Sequence, residues 1–147
     1  GRKAIYDRVT GEGYRLATLV SPTAIVSPSA RLGAGVVVLD FASVMADAVV
    51  EDNALISVYV MIGHDVFIGA HSDIQTNTTL GGHVRIGEGT FLGLSVTVKE
   101  ELSIGRNTII GMGAVVSREI GDGVTAVGDP ARAVRRNEDG IIFRTHS

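Results

Sequence analysis

The histidines are the side chains of this chain best suited to proton transfer near neutral pH, and only four are present. One of them, His64, is followed directly by Asp65. A carboxylate bound to one ring nitrogen would fix the tautomer and leave the other nitrogen free to take a proton from an amine or hydroxyl nucleophile. The pair therefore predicts a general base, His64, supported by an acid, Asp65. The alternative interpretation is a solvated histidine beside a corner-forming aspartate.

The pair lies within a six-residue repeat, and the structure formed by that repeat must position it. Seventeen consecutive six-residue units run from Val20 to Gly121, and each opens on Val, Leu or Ile. The fifth residue of each unit is compact as well. A period of six fits neither a lone helix nor a flat sheet, and it is typical of a coiled parallel β-helix. Three units would form one triangular coil of about 18 residues, which predicts an all-β prism of about six coils.

The fourth residue of each unit carries a second pattern, because ten of the seventeen are Gly, Asn, Asp or His. These residue types tolerate positive φ best, so we expect the chain to turn there in a left-handed conformation. His71 and His83 occupy this position, which favours a structural corner role for both. His64 occupies the third position, where no other unit has histidine. The ten predicted corners are Gly35, Asp47, Asn53, Asp65, His71, Asn77, His83, Gly89, Asn107 and Gly113.

The flanks differ from the repeat and divide the chain into three segments. Residues 1–19 read as a short helix over 2–10, closed by glycines, followed by a strand over 14–19. Residues 20–121 form the β-helix. Residues 122–147 read as a C-terminal loop, a turn over 137–140 and a short strand over 141–144. His146 lies in this tail, and no sequence pattern assigns it a role.

Composition narrows the function classes. The net charge is -3 and the pI is about 5.8, so general attraction to nucleic acid is not indicated. The chain has no cysteine, which excludes a thiol nucleophile and a disulfide framework. No apolar run reaches membrane-spanning length and no signal peptide opens the sequence. We expect a cytoplasmic protein without nucleic-acid or membrane partners.

Four motifs in order resemble those of bacterial sugar acyltransferases, in the group of sialic-acid O-acetyltransferases and UDP-amino-sugar N-acetyltransferases. They are the repeat, the His64-Asp65 pair, the Leu80-Gly81-Gly82 segment and residues 127–132, and together they cover nearly the whole chain. The resemblance implies a left-handed coil, a homotrimer, and acetyl-CoA as acyl donor in the groove between prisms, with no metal. It also implies that His64 is the base and that Asp65 supports it.

The same resemblance implies a set of residues that contact acetyl-CoA. Gly82 follows His64 by three units, which is one full coil, so it should lie directly above it at the same corner and leave room for the ligand. Two coil positions would flank the pantetheine arm, and the proline loop would lie near the nucleotide end. The implied cofactor-binding residues are Asp73, Gly82, Leu94, Met112, Pro130 and Arg132.

The chain departs from the family pattern at two places. Asp73 stands where related enzymes often carry a second histidine that contacts the thioester region. Residues 2–19 resemble only the last helix and strand of the small domain that grips the nucleotide-sugar in such enzymes. The sequence therefore predicts a chain that keeps its acetyl-CoA groove and binds the acceptor sugar poorly.

Three functions remain open at this point. The favoured acceptor is the amino group of a nucleotide-linked amino-sugar, and the runner-up is O-acetylation of a sialic-acid-like sugar. A non-catalytic β-helix binding module is the third. Zinc carbonic anhydrases share the coil, but the spacings between His64, His71 and His83 lack the close histidine pair of those enzymes.

Overall fold

A computed structural model describes residues 1–137 as one α-helix followed by a stack of short strands wound into a prism. The helix α1 spans Arg2–Gly11. Strands β1 to β17 are two residues long, and β18 and β19 are longer. In chain order they are β1 (Leu19–Val20), β2 (Ile25–Val26), β3 (Arg31–Leu32), β4 (Val37–Val38), β5 (Ser43–Val44), β6 (Val49–Val50), β7 (Leu55–Ile56), β8 (Met61–Ile62), β9 (Phe67–Ile68), β10 (Asp73–Ile74), β11 (Thr79–Leu80), β12 (Arg85–Ile86), β13 (Phe91–Leu92), β14 (Thr97–Val98), β15 (Ser103–Ile104), β16 (Ile109–Ile110), β17 (Val115–Val116), β18 (Val124–Val127) and β19 (Arg132–Arg136).

Every third strand joins the same sheet, so the prism has three faces. Face A contains eight strands in the order β1-β4-β7-β10-β13-β16-β18-β19, face B contains β17-β14-β11-β8-β5-β2, and face C contains β15-β12-β9-β6-β3. Strand partners within β1 to β17 are parallel and lie one coil apart in the chain, as in the pairing of Leu19 with Val37. This register confirms the predicted coil of three units, and the fold is a left-handed β-helix of about six turns.

The interior is the ladder of unit openers that the period predicts. The openers from Val38 to Val116 have no more than 2% of their surface exposed. Val20, in the first coil, is 43% exposed because no coil lies beneath it. Buried hydroxyls at the fifth position are satisfied by glycine carbonyls of the next coil. Thr78, for example, donates to the Gly93 carbonyl at 2.9 Å.

The corners confirm the left-handed turns predicted at the fourth position, since all ten predicted residues have positive φ. Four further corners adopt the same conformation with residue types that do not favour it. Hydrogen bonds between coils impose the turn there, as when the Tyr59 N–H donates to the Asp40 carbonyl at 3.1 Å. The four are Phe41 (φ 59°), Tyr59 (φ 58°), Ser95 (φ 56°) and Glu101 (φ 64°).

The N-terminal flank confirms the predicted helix and corrects the predicted strand. Residues 14–18 have no strand structure, and β1 begins only at Leu19. This segment instead crosses the corner of the first coil, where the Thr18 hydroxyl donates to the Gly33 carbonyl at 2.5 Å. It has no parallel neighbour before residue 19, so alternation alone does not make it a strand. Within residues 1–137 no helix has both the length and the apolarity that a membrane crossing needs.

The segment after the repeat is more regular than the predicted loop. Strand β18 pairs in parallel with β16 and so continues face A by one more strand. Strand β19 then returns antiparallel to β18, across a turn that contains the cis peptide bond Asp129–Pro130. The loop prediction was wrong here because the coil still offers an unpaired strand edge to residues 124–127. The strand predicted over 141–144 and His146 lie outside the described residues.

Candidate active site

His64 and Asp65 lie on the outer edge of the prism between faces B and C. Residues 63–66 connect β8 to β9, and we call the column formed by this and the equivalent turns the B–C edge. His64 Nδ1 lies 2.9 Å from Asp65 Oδ2, with 61% of the His64 side chain and 43% of the Asp65 side chain exposed. An ionised carboxylate can only accept, so Nδ1 donates the hydrogen bond. The neutral ring then has its lone pair on Nε2, as a general base requires.

Gly82 lies directly above His64, as predicted from the spacing of one coil. The register places β11 beside β8 through the Leu80–Ile62 pairing. A Cβ atom on residue 82 would lie 2.6 Å from His64 Nε2 and 2.7 Å from Cε1. Any larger residue would displace the imidazole, so the glycine is what allows the ring to lie over the backbone of the next coil. Within residues 1–137 the Gly82 N–H has no hydrogen-bond partner.

His83 also belongs to this group, which the prediction of a corner role did not include. It does form a corner, with φ 61°. Its ring nevertheless meets the His64 ring edge-on, at 5.1 Å between centroids and 90° between planes. His83 Nε2 lies 3.9 Å from Asp65 Oδ2. The signal was present in the sequence, because residue 83 follows Asp65 by one full coil.

His71 lies on a different edge and has a different environment. It forms the turn between β9 and β10, on what we call the C–A edge, with φ 62°. Its Nδ1 is 2.9 Å from Asn53 Nδ2, and its ring meets the Tyr6 ring edge-on at 5.1 Å. The Tyr6 hydroxyl donates to Asp52 Oδ2 at 2.8 Å. His71 thus fastens α1 to the prism.

The remaining residues implied to contact acetyl-CoA lie on other parts of the prism. Asp73 is in β10 on face A, opposite the B–C edge. Leu94 and Met112 are 47% and 77% exposed on the turns between faces A and B, here called the A–B edge. Pro130 and Arg132 are in the C-terminal hairpin that extends face A. One chain therefore does not bring these five residues to His64.

Asp73 is half-buried, and its burial raises the pKa of the carboxyl above its ordinary value. The hydrogen bond from Gln75 Nε2, at 2.6 Å, and the positive charge of Arg2 act in the opposite direction on this pKa. The Asp7 carboxyl differs, because the hydrogen bond from Lys3 lowers its pKa. The environment of Asp73 thus favours the neutral, hydrogen-bond-donating form more than a solvent-exposed aspartate would.

Within residues 1–137 of one chain His71 lies on a different edge from His64 and His83, so these three histidines do not meet on a single prism. The one group of metal-ligand type in that range is His64, Asp65 and His83, whose nearest donor atoms all lie within 4.8 Å of one another. All three side chains are exposed, and Asp65 is already engaged by His64.

Comparison with known proteins finds the same repeat and the same fold in sugar acetyltransferases. The family model described as the hexapeptide repeat of succinyl-transferase matches residues 83–118 and 101–125. The chain is 36% identical to PerB from Caulobacter crescentus, solved with CoA and GDP-perosamine; the match covers 89% of this chain and 63% of that chain, with a TM-score of 0.88. A histidine-to-asparagine variant of perosamine N-acetyltransferase from the same organism, also with CoA and GDP-perosamine, gives 35% identity, coverages of 89% and 62%, and a TM-score of 0.88.

A third similar structure is the acetyltransferase domain of PglB from Neisseria gonorrhoeae in complex with acetyl coenzyme A. It is 32% identical, with 90% of this chain and 64% of that chain covered and a TM-score of 0.88. The chain spans less than two thirds of the length of each of these three proteins. In its repeat, its left-handed coil and these likenesses the chain is similar to the hexapeptide-repeat sugar acetyltransferases.

Proposed function

We propose that this chain transfers the acetyl group of acetyl-CoA to the amino group of a nucleotide-linked amino-sugar. The observation that carries the proposal is the His64–Asp65 pair, in which Nδ1 is bound at 2.9 Å and Nε2 lies over Gly82 on the outer edge. The similar proteins were solved with CoA or acetyl-CoA, and two of them with GDP-perosamine. A GDP-linked amino-sugar is therefore the first acceptor to test.

The reaction proceeds by direct attack. The amine lone pair of the acceptor adds to the thioester carbonyl carbon while His64 Nε2 removes a proton from the nitrogen. The C–S bond then breaks, and the departing thiolate takes the proton back from the His64 imidazolium. The products are the N-acetyl sugar and free CoA. Asp65 stabilises the imidazolium between these two proton transfers, as a carboxylate does in other histidine-based catalysts.

A direct mechanism also agrees with the nucleophiles that the chain offers. It has no cysteine, so an acyl-cysteine intermediate is excluded. The described edge residues around His64 are Gly63, Asp65, Gly82 and His83, none of which is a serine, threonine or lysine. In the proposed mechanism the acceptor amine itself attacks acetyl-CoA.

The site is completed by a second copy of the chain. His64, Asp65 and Gly82 are on the B–C edge, whereas Leu94 and Met112 are exposed on the A–B edge. Face B separates these two edges within one prism, so both can line a single groove only when two prisms stand side by side. A closed ring of three chains provides three such grooves, which supports a homotrimer with acetyl-CoA between neighbours.

The proposal is tested by a transfer assay on the chain. Purified protein is incubated with acetyl-CoA and a panel of GDP-, UDP-, dTDP- and CMP-linked amino-sugars and their hydroxyl analogues. We expect CoA release to match the formation of an N-acetyl product, identified by mass spectrometry. Acetylation of a hydroxyl analogue alone would change the assignment to O-acetylation. Two results would contradict the proposed function. One is that CoA is released but no acceptor of the panel is acetylated, and the other is that calorimetry detects no binding of acetyl-CoA.

A further inference from the structure

His83 and His71 share a repeat position and a backbone conformation, yet their side chains meet different partners. Both are fourth residues of their units, with φ values of 61° and 62°. The corner therefore requires nothing of His83 that an asparagine would not supply, since Asn53, Asn77 and Asn107 fill the same position with φ between 51° and 63°. The identity of residue 83 is explained by what its ring touches.

The His83 ring touches the two residues proposed to perform the chemistry. It stands perpendicular to the His64 ring at 5.1 Å between centroids. Its Nε2 is 3.9 Å from Asp65 Oδ2, the same oxygen that accepts the hydrogen bond from His64 Nδ1 at 2.9 Å. At 3.9 Å the contact between His83 Nε2 and Asp65 Oδ2 is too long for a hydrogen bond, so the His83 ring acts by packing against its two neighbours.

These contacts restrict His64 from two directions. The backbone at Gly82 lies against the Nε2 side of the ring, as the 2.6 Å distance from the place of a Cβ indicates. The edge-on ring of His83 limits rotation of the imidazole about its χ2 angle. Asp65 is exposed over 43% of its side chain, so without the His83 ring beside Oδ2 the carboxylate would be free to rotate into solvent.

We infer that His83 is a positioning residue, which holds the Asp65 carboxylate and the His64 ring in the geometry that leaves Nε2 free as the base. This inference rests on the proposed function. His83 lies outside the transfer of the acetyl group itself and acts only through Asp65 and His64. Its removal should therefore lower kcat and leave the KM for acetyl-CoA unchanged.

The test is a double-mutant cycle of His83→Asn with Asp65→Asn, with His71→Asn as the matched control. Each of the three substitutions introduces asparagine, a residue type that the fourth position of the unit already accepts. Tm and the molecular mass in solution show whether each variant folds and assembles like the wild-type chain. We expect His83→Asn to lower kcat about fivefold, His71→Asn to leave kcat unchanged, and His83→Asn to cost less than fivefold in the Asp65→Asn chain, where only its ring contact with His64 is left to lose. Unchanged kcat in His83→Asn, or losses that multiply in the double variant, would overturn the inference.

A second measurement separates this inference from the proposed function. Long-range ¹H–¹⁵N correlation spectra report which ring nitrogen of His64 carries the proton, whether or not the chain turns over substrate. The wild-type chain should show mainly the Nδ1-protonated tautomer, and His83→Asn should show a mixture of the two. If the wild-type chain transfers no acetyl group, the proposed function fails and this spectrum alone decides the role of His83. An unaltered tautomer population in His83→Asn would overturn that role.

Discussion

The B–C edge and the C–A edge of the prism are built from the same repeat, and each carries a histidine in a left-handed turn. On the C–A edge, His71 contacts Asn53 and the ring of Tyr6, so its two neighbours are structural and one belongs to α1. On the B–C edge, His83 contacts His64 and Asp65, which are both open to solvent. The backbone conformation is the same on both edges, so the function of a corner residue depends on the column in which it lies.

Among the substitutions that compare the two edges, we expect Gly82→Ala on the B–C edge to have the largest effect on kcat. Its Cβ would lie 2.6 Å from the end of the His64 side chain, which can swing away without disturbing the backbone. We expect kcat to fall about 100-fold, since the base leaves its position, while Tm changes little. Gly121→Ala is the control, because a Cβ there meets nothing within 4 Å. Full activity in Gly82→Ala would show that the ring position over residue 82 is irrelevant to turnover.

A substitution on the C–A edge should lower the stability of the chain and leave kcat unchanged. His71→Asn keeps the left-handed corner but loses the edge-on contact with Tyr6, which is 5.1 Å between centroids. We expect a loss of about 1 kcal/mol in the free energy of unfolding and a Tm lower by about 3 °C, with kcat unchanged. Thermal unfolding and steady-state kinetics on one preparation measure both. A drop in kcat without a drop in Tm would reverse the roles assigned to the two edges.

The smallest effect is expected at Asp73, on the face next to the C–A edge. Burial raises the pKa of this carboxyl in the folded chain, so the folded state disfavours its ionised form. Ionisation therefore costs stability at neutral pH, and the cost disappears as the pH falls below the ordinary value of about 4, where the group is neutral in both states. Asp73→Asn should raise Tm by about 1 °C at pH 7 and by nothing at pH 3. A gain that is equal at both pH values would contradict this account of Asp73.

Asp73→Asn also tests the family-based expectation that this residue contacts acetyl-CoA. Asparagine keeps a carbonyl oxygen that can accept from Gln75, as Asp73 Oδ1 does at 2.6 Å. If the residue lines the groove through a second copy of the chain, the KM for acetyl-CoA should change while the kcat of the saturated enzyme stays nearly constant. An unchanged KM would place Asp73 outside the donor site.

The sequence predicted the coil because its signal is repeated seventeen times and each unit is subject to the same packing demand. Buried openers such as Ile62 and corner residues such as Asp65 follow from that period alone. Corners at Phe41 and Tyr59 could not be predicted from residue type, because hydrogen bonds between coils override the local preference. The strand at 124–127 was missed for a similar reason, since an unpaired strand edge outweighs a glycine-rich sequence.

The site was predictable in one direction only, along the prism axis. An offset of one coil places Gly82 over His64, and it would equally have placed His83 over Asp65. The spacing of one coil does not fix how the side chains are oriented around the prism axis. The edge-on approach of the His64 and His83 rings could therefore be seen only in the structure. Leu94 and Met112 lie on the A–B edge, so their place beside His64 depends on the proposed trimer.

The central claim, that His64 is the base of an acetyl transfer, is tested most directly by His64→Ala with acetyl-CoA affinity and kcat measured on the same protein. The account predicts a loss of about 100-fold or more in kcat with the dissociation constant for acetyl-CoA unchanged, since the residue acts on the acceptor proton and does not bind the donor. A variant that retains nearly full kcat would contradict it.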